Sequence, residues 1–189
     1  MTIARPQSYR FHNGERPPLP FSVEEYETRL AGLRQIMADQ GLTACLFTSM
    51  HNVAYYSGFL YCSFGRPYGL VVTATDCITI SAGIDAGQPW RRSVGDNITY
   101  TDWTRDNFWR VAAEAAGTGA ALGIEEDHMT LDASARLATF LRPASVTNIA
   151  PACMEQRMRK SPAEVALIRE GARVADVGGY AIREAIREG

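Results

Sequence analysis

The stretch Tyr61-Cys62-Ser63-Phe64-Gly65-Arg66-Pro67-Tyr68-Gly69 sets one cation among three aromatic rings and two glycines, and it contains no acid. Gly65 lets the backbone bend where other residues resist. Pro67 fixes its own φ and biases Arg66 toward an extended shape. The spacing therefore predicts a stiff loop that holds Arg66 outward. A planar guanidinium presented in this way suits a carboxylate, which it grips through two parallel hydrogen bonds. Phe64, two residues earlier, is placed to cover an apolar part of the same ligand. The competing reading is an ordinary surface arginine beside aromatics that belong to the core, and short motifs of this kind carry a high false-positive risk.

Other groups offer less. His51 stands beside Asn52 with no Asp, Glu or second His nearby in sequence to orient it, so it reads as a cap or packing residue. Arg91 and Arg92 form the other plausible anion grip, but adjacent side chains on a helix face different ways. Glu125-Glu126-Asp127-His128 imitates a metal site. Consecutive residues of an extended segment point apart, however, and the run reads as a solvated loop leading into a helix that starts at Thr130. Gly117-Thr118-Gly119-Ala120-Ala121-Leu122-Gly123 misses the dinucleotide spacing by one residue. It also follows a helix and precedes a strand, the reverse of the order that chemistry requires.

The elements that position these residues follow from hydrophobic period and punctuation. Residues 4–21, rich in Pro and Arg, read as an extended arm over the domain or a neighbour. Ser22-Val23-Glu24-Glu25 fits a capping box. The helix it opens carries Tyr26, Leu30, Leu33, Ile36 and Met37 on one face and stops at Gly41. Strands are expected at Ala44–Phe47, Leu70–Thr73, Cys77–Ser81, Ile98–Thr101, Leu122–Ile124 and Val146–Ile149, the second and third forming a hairpin. A short helix or turn covers His51–Tyr56, and Gly83–Arg92 returns toward helix. Further helices cover Asn107–Ala116 with Asp106 as cap, Leu131–Leu141, and Pro151–Arg157. Repeated strand–helix units with one hairpin imply an α/β fold with a mixed sheet flanked by helices. Ser161-Pro162-Ala163-Glu164 is a strong helix start, and the helix is expected to run to Glu188. Its stripe of Val165, Ile168, Ala172, Ala175, Gly179, Ile182 and Ile186 needs a partner.

With 19 Lys and Arg against 21 Asp and Glu, the near balance gives no electrostatic reason to expect nucleic acid or an acidic membrane as partner. No apolar run approaches the roughly 20 residues that span a bilayer, and the N-terminus lacks a secretory h-region. Cys45, Cys62, Cys77 and Cys153 form no Cys-x-x-Cys pair and read as reduced thiols of a cytoplasmic protein. Without secretion, the sequon Asn97-Ile98-Thr99 carries no meaning.

The strings Thr48-Ser49, His51-Asn52, Tyr55-Tyr56 and Phe59 through Tyr68 closely resemble the creatinases (creatine amidinohydrolases). So do Gly87-Gln88-Pro89-Trp90-Arg91-Arg92, Tyr100-Thr101-Asp102-Trp103, Gly123-Ile124-Glu125, Ala152-Cys153-Met154 and Gly171-Ala172-Arg173. Shorter matches suit the wider creatinase/prolidase/aminopeptidase P family. The resemblance runs from about Phe21 to the last residue. It implies an arm at 1–21, a creatinase-type N-terminal α/β domain at 22–157, and at 158–189 a linker plus the first helix of a pita-bread catalytic domain that is not in this chain. It implies hydrolysis of creatine to sarcosine and urea by a histidine and glutamates of that second domain. The fragment would then be inactive, with no catalytic residue, no metal and no cofactor of its own. In the family's homodimer, the N-terminal domain of one subunit caps the active site of the other. Arg66 would hold the creatine carboxylate there and Phe64 would pack beside it. Within this chain the apolar stripe of the last helix would need a substitute partner, either the N-terminal domain or the same helix of a second copy. The alternatives are the corresponding domain of a metal-dependent Xaa-Pro peptidase, which has less need of the arginine loop, and a stand-alone interaction module. The unpartnered stripe argues against the module.

Overall fold

A computed structural model describes residues 5–61 and 65–186. The chain divides into two compact units, Met1–Met154 and Glu155–Gly189. The first unit is built on a seven-stranded sheet. Its strands are β1 (Ser8–Tyr9), β2 (Ala44–Phe47), β3 (Gly69–Thr73), β4 (Cys77–Ala82), β5 (Asp96–Tyr100), β6 (Ala121–Ile124) and β7 (Ser145–Asn148), in spatial order β1-β5-β4-β3-β2-β6-β7. β2 pairs parallel with β6, β6 with β7 and β4 with β5, whereas β3 runs antiparallel to both β2 and β4. The hairpin thus makes the sheet mixed, as expected. β1 is an addition: two residues of the arm pair antiparallel with β5 and cover the sheet edge, Ser8 opposite Tyr100. A two-residue strand carries no periodicity from which sequence could announce it.

Both faces of the central strands are buried, and side-chain alternation separates two cores. Ala44 and Leu46 of β2, Val71 of β3, Ile78 and Ile80 of β4 and Leu122 of β6 face one way. They pack with Phe108, Val111 and Ala112 of α4 (Asn107–Ala116) and Leu137 of α5 (Leu131–Phe140). Cys45, Phe47, Leu70 and Val72 face the other way, against Leu30, Leu33 and Met37 of α1 (Val23–Asp39) and Val53 and Tyr56 of α2 (Met50–Ser57). Over β4 and β5 this second face turns polar. Thr79, Ser81, Asn97 and Thr99 are all fully buried, with the Asn97 amide donating to Thr79 Oγ1 (3.0 Å) and Ser81 Oγ (3.1 Å). Asn97 is therefore a core residue in the middle of a strand, not a glycan acceptor. The segment expected to return toward helix splits into a 3-10 turn, Gly83–Asp85, and the short α3, Gln88–Arg91.

Two caps differ from expectation. Ser22 accepts from the Glu25 amide (3.3 Å), but the Glu25 carboxylate turns to Arg29 (3.1 Å) instead of reaching back. Asp106 precedes α4 at φ 70°, a left-handed conformation from which its side chain makes no capping bond, and its carboxylate pairs with Arg136. α6 covers Ala150–Met158. In the second unit, α7 (Pro162–Ala185) opens on a complete capping box between Ser161 and Glu164. It ends at Ala185, with Ile186 already extended at φ −71° and ψ 121°, short of the expected end at Glu188, a residue outside those described. Ile168, Ile182 and Ile186 of the stripe are exposed. No helix among the described residues is long and apolar enough to cross a membrane.

Candidate functional site

The parallel strands β2, β4, β5 and β6 deliver their carboxyl ends to one edge of the sheet, where β3 begins. Ligand sites of open α/β sheets form at such an edge. The arginine loop lies there. Gly65 adopts φ 82°, and Gly69 brings β3 so near β2 that a Cβ would lie 2.8 Å from the Phe47 carbonyl oxygen. Tyr100 donates its hydroxyl to the Pro67 carbonyl (2.7 Å), pinning the loop to β5. Tyr68 and Phe59 are buried beneath it, with the Tyr61 ring 4.3 Å from that of Tyr68. Part of the competing reading holds, since these aromatics do belong to the core, yet Arg66 itself keeps 42 % of its side chain exposed. Phe64 lies outside the described residues, as do Cys62 and Ser63.

Arg66 is not without a counter-charge. The chain supplies one from 36 residues further on: Asp102, just beyond β5 and itself 55 % exposed, forms an ion pair with the guanidinium. The hydrogen bond to Asp102 and then its charge hold the Arg66 pKa above its ordinary value. A window read along the sequence shows no acid because the partner arrives through the fold.

Arg66 lines two cavities. One, of about 980 Å³, is open and shares walls with Asp102, Arg105, Asp106, Asn107 and Arg136. The other, of about 330 Å³, is lined by Phe59, Leu60, Tyr61, Ile84, Asp85 and Gln88. Asp85 ends the 3-10 turn that leaves β4. The next residue, Ala86, sits at φ 46° and ψ −125°, a conformation an alanine adopts only when its surroundings impose it. Thr99 helps impose it by donating to the Ala86 carbonyl (3.3 Å). Burial raises the Asp85 pKa above its ordinary value, while a hydrogen bond from Tyr61 and the charge of Arg66 pull it back. Asp85 Oδ2 is buried and has no hydrogen-bond partner among the described residues.

A second acid on the same edge is arranged differently. Glu125, at the end of β6, is 2 % exposed, not solvated as its sequence neighbourhood suggests. It accepts from the amides of Thr48 (2.9 Å) and Ser49 (3.0 Å), from the Asn52 side chain (2.7 Å) and from Ser49 Oγ. Ser49 also caps α2. This network ties the β2–α2 turn to β6. His128 Nδ1 lies 3.0 Å from Thr48 Oγ1, and Thr130 caps α5 as expected. His51 is exposed, and no described residue hydrogen-bonds it, whereas its neighbour Asn52 is buried. Arg91 turns to Asn13 of the arm (3.3 Å). The described residues hold no group of three or more His, Cys, Asp or Glu suited to a metal ion.

Residues 29–159 match the family model described as the Creatinase/Prolidase N-terminal domain. The chain is 49 % identical over 182 residues to the creatinase of Bacillus sp. (strain B-0618), covering 94 % of this chain and 44 % of that protein. It is 26 % identical over 169 residues to the putative dipeptidase YkvY of Bacillus subtilis, covering 85 % and 46 %. It thus spans less than half the length of these curated relatives. Among solved structures, the Xaa-Pro dipeptidase of Bacillus anthracis superposes with a TM-score of 0.70 at 18 % identity, covering 87 % of this chain and 44 % of that one. The creatinase/prolidase N-terminal domain of an X-Pro dipeptidase from Streptococcus pyogenes gives 0.61 at 17 % identity, covering 68 % and 98 %. At these identities the structures speak to fold alone.

Proposed function

Because the chain belongs to the creatinase/prolidase N-terminal domain family, we propose that it is the substrate-gripping and dimer-forming N-terminal part of a creatinase-like amidinohydrolase, one that converts creatine and water to sarcosine and urea. In this reading Arg66 grips the creatine carboxylate, and Phe64 packs beside the same substrate. The observation that carries it is the Arg66 guanidinium itself: half-exposed, on a base fixed by Tyr100, Gly69 and buried aromatics, and already engaged with an exposed carboxylate, Asp102. A guest carboxylate exchanges with Asp102 at little cost, because an exposed ion pair contributes only about 0–1 kcal/mol. The 49 % identity to a bacterial creatinase supports the same substrate class.

Bond cleavage belongs, in this reading, to a second domain of a cytoplasmic homodimer. Residues 1–21 serve as the arm, 22–157 as the N-terminal domain, and 158–189 as linker and first catalytic-domain helix, whose stripe packs inside that domain. The fragment alone is inactive and needs no metal or cofactor. The competing reading is a metal-dependent Xaa-Pro peptidase. Assaying the full-length protein with creatine and with an Xaa-Pro dipeptide, each with and without chelator, separates the two. Creatine hydrolysis that resists chelator is the expected result; dipeptide hydrolysis lost with chelator overturns it.

A further inference from the structure

The cavity of about 330 Å³ beside Arg66 contains a second ionisable group that the carboxylate grip does not use. Asp85 enters this cavity from the end of β4, on a backbone made rigid by the strained Ala86 and by the Thr99 hydroxyl behind it. Tyr61 shares the cavity wall and lowers the pKa of the carboxylate, against the effect of burial. Oδ2 is buried and lacks a donor among the described residues. A buried acceptor without a donor costs roughly 1–3 kcal/mol, and such a group needs an explanation. Within one wall the cavity therefore joins a guanidinium suited to a carboxylate, a carboxylate suited to an N–H donor, and the apolar surfaces of Phe59 and Ile84.

We propose that Asp85 is a second recognition residue, whose carboxylate accepts an N–H of the same guest that Arg66 holds by its carboxylate. This rests on the Arg66 reading above and deepens it. Arg66 alone selects for carboxylates; Arg66 and Asp85 together select for small molecules with an N–H donor a few bonds from the carboxylate, as in an N-amidino amino acid. Asp85 takes part in binding, not in bond cleavage.

The test compares two probes in the full-length protein. Creatine carries both groups, while 3-methylbutanoate, used as a competitive inhibitor, carries a carboxylate and an apolar body without N–H donors. Asp85→Asn is expected to raise KM for creatine about 10-fold or more, the loss of one charge-assisted hydrogen bond. It should leave the inhibition constant of 3-methylbutanoate unchanged and kcat little altered. Asp85→Ala, with folding checked by thermal melt, should repeat the pattern. An unchanged KM for creatine in both variants overturns the proposal. Equal weakening of both probes also overturns it, since Asp85 would then act only by holding Arg66. In the control, Arg66→Ala weakens both probes. If it weakens neither, the underlying Arg66 reading fails, an outcome distinct from failure of Asp85 alone.

Discussion

Two acidic positions on one edge of the sheet show opposite designs. Glu125 takes donors from Thr48, Ser49 and Asn52 and is closed to solvent. Every partner it needs comes from its own chain, and what it achieves is a fixed turn between β2 and α2. Across the edge, Arg66 and Asp102 face solvent, and Asp85 keeps one buried oxygen without a donor among the described residues. The lesson is that burial alone does not mark a functional acid. A buried carboxylate whose donors are all internal is scaffold, whereas one left short of a donor beside a half-exposed arginine is arranged for a guest.

The sharpest way to break this contrast is Glu125→Gln. Both backbone amides donate to one oxygen, which the Gln carbonyl can replace, so its NH2 meets the Asn52 side-chain NH2 and the Ser49 hydroxyl that donate to the other oxygen. With the charge also lost, the expected loss is about 3 kcal/mol of stability. That corresponds to a fall in Tm of roughly 6–12 °C for a chain of this size. A melt that shifts by less than about 2 °C would mean the network is not scaffold. A smaller effect is expected at Asp102. Asp102→Asn removes the internal competitor for Arg66, so KM for creatine should fall by a few-fold at most, in line with an exposed ion pair. A rise in KM would show instead that Asp102 orients the guanidinium.

The smallest effect concerns Asp85 and pH. Its folded pKa is raised by burial, so it binds its proton more tightly folded than unfolded. The stabilisation from that proton is fully present below the ordinary value of 3.8 and is lost as pH rises through the folded value. Asp85→Asn should therefore raise Tm slightly at neutral pH, with the gain shrinking as the solution is acidified toward pH 4. A Tm that falls at neutral pH would indicate that Asp85 is satisfied like Glu125. A variant that is more stable but binds creatine less well is the signature expected of a group placed for recognition.

Much of the fold could be read from sequence because its signals are local. The short apolar runs of β2, β3 and β4, the Ser161–Glu164 box and the α1 face all depend on residues close together in the chain. The stiff base of Arg66 was legible for the same reason, through Gly65 and Pro67. Its partner was not, since Asp102 lies 36 positions away and meets Arg66 only when β5 is laid beside β4. Glu125 was misread because the charges after it resemble a solvated loop, while its donors sit more than 70 positions earlier. Asp106 had the right residue type for a cap, but Arg136 and a left-handed backbone drew it elsewhere.

The most direct measurement is KM for creatine in the full-length protein carrying Arg66→Ala. The account predicts a rise of about 10- to 100-fold, with a smaller loss of kcat and an unchanged melt. A KM equal to that of the parent would contradict it.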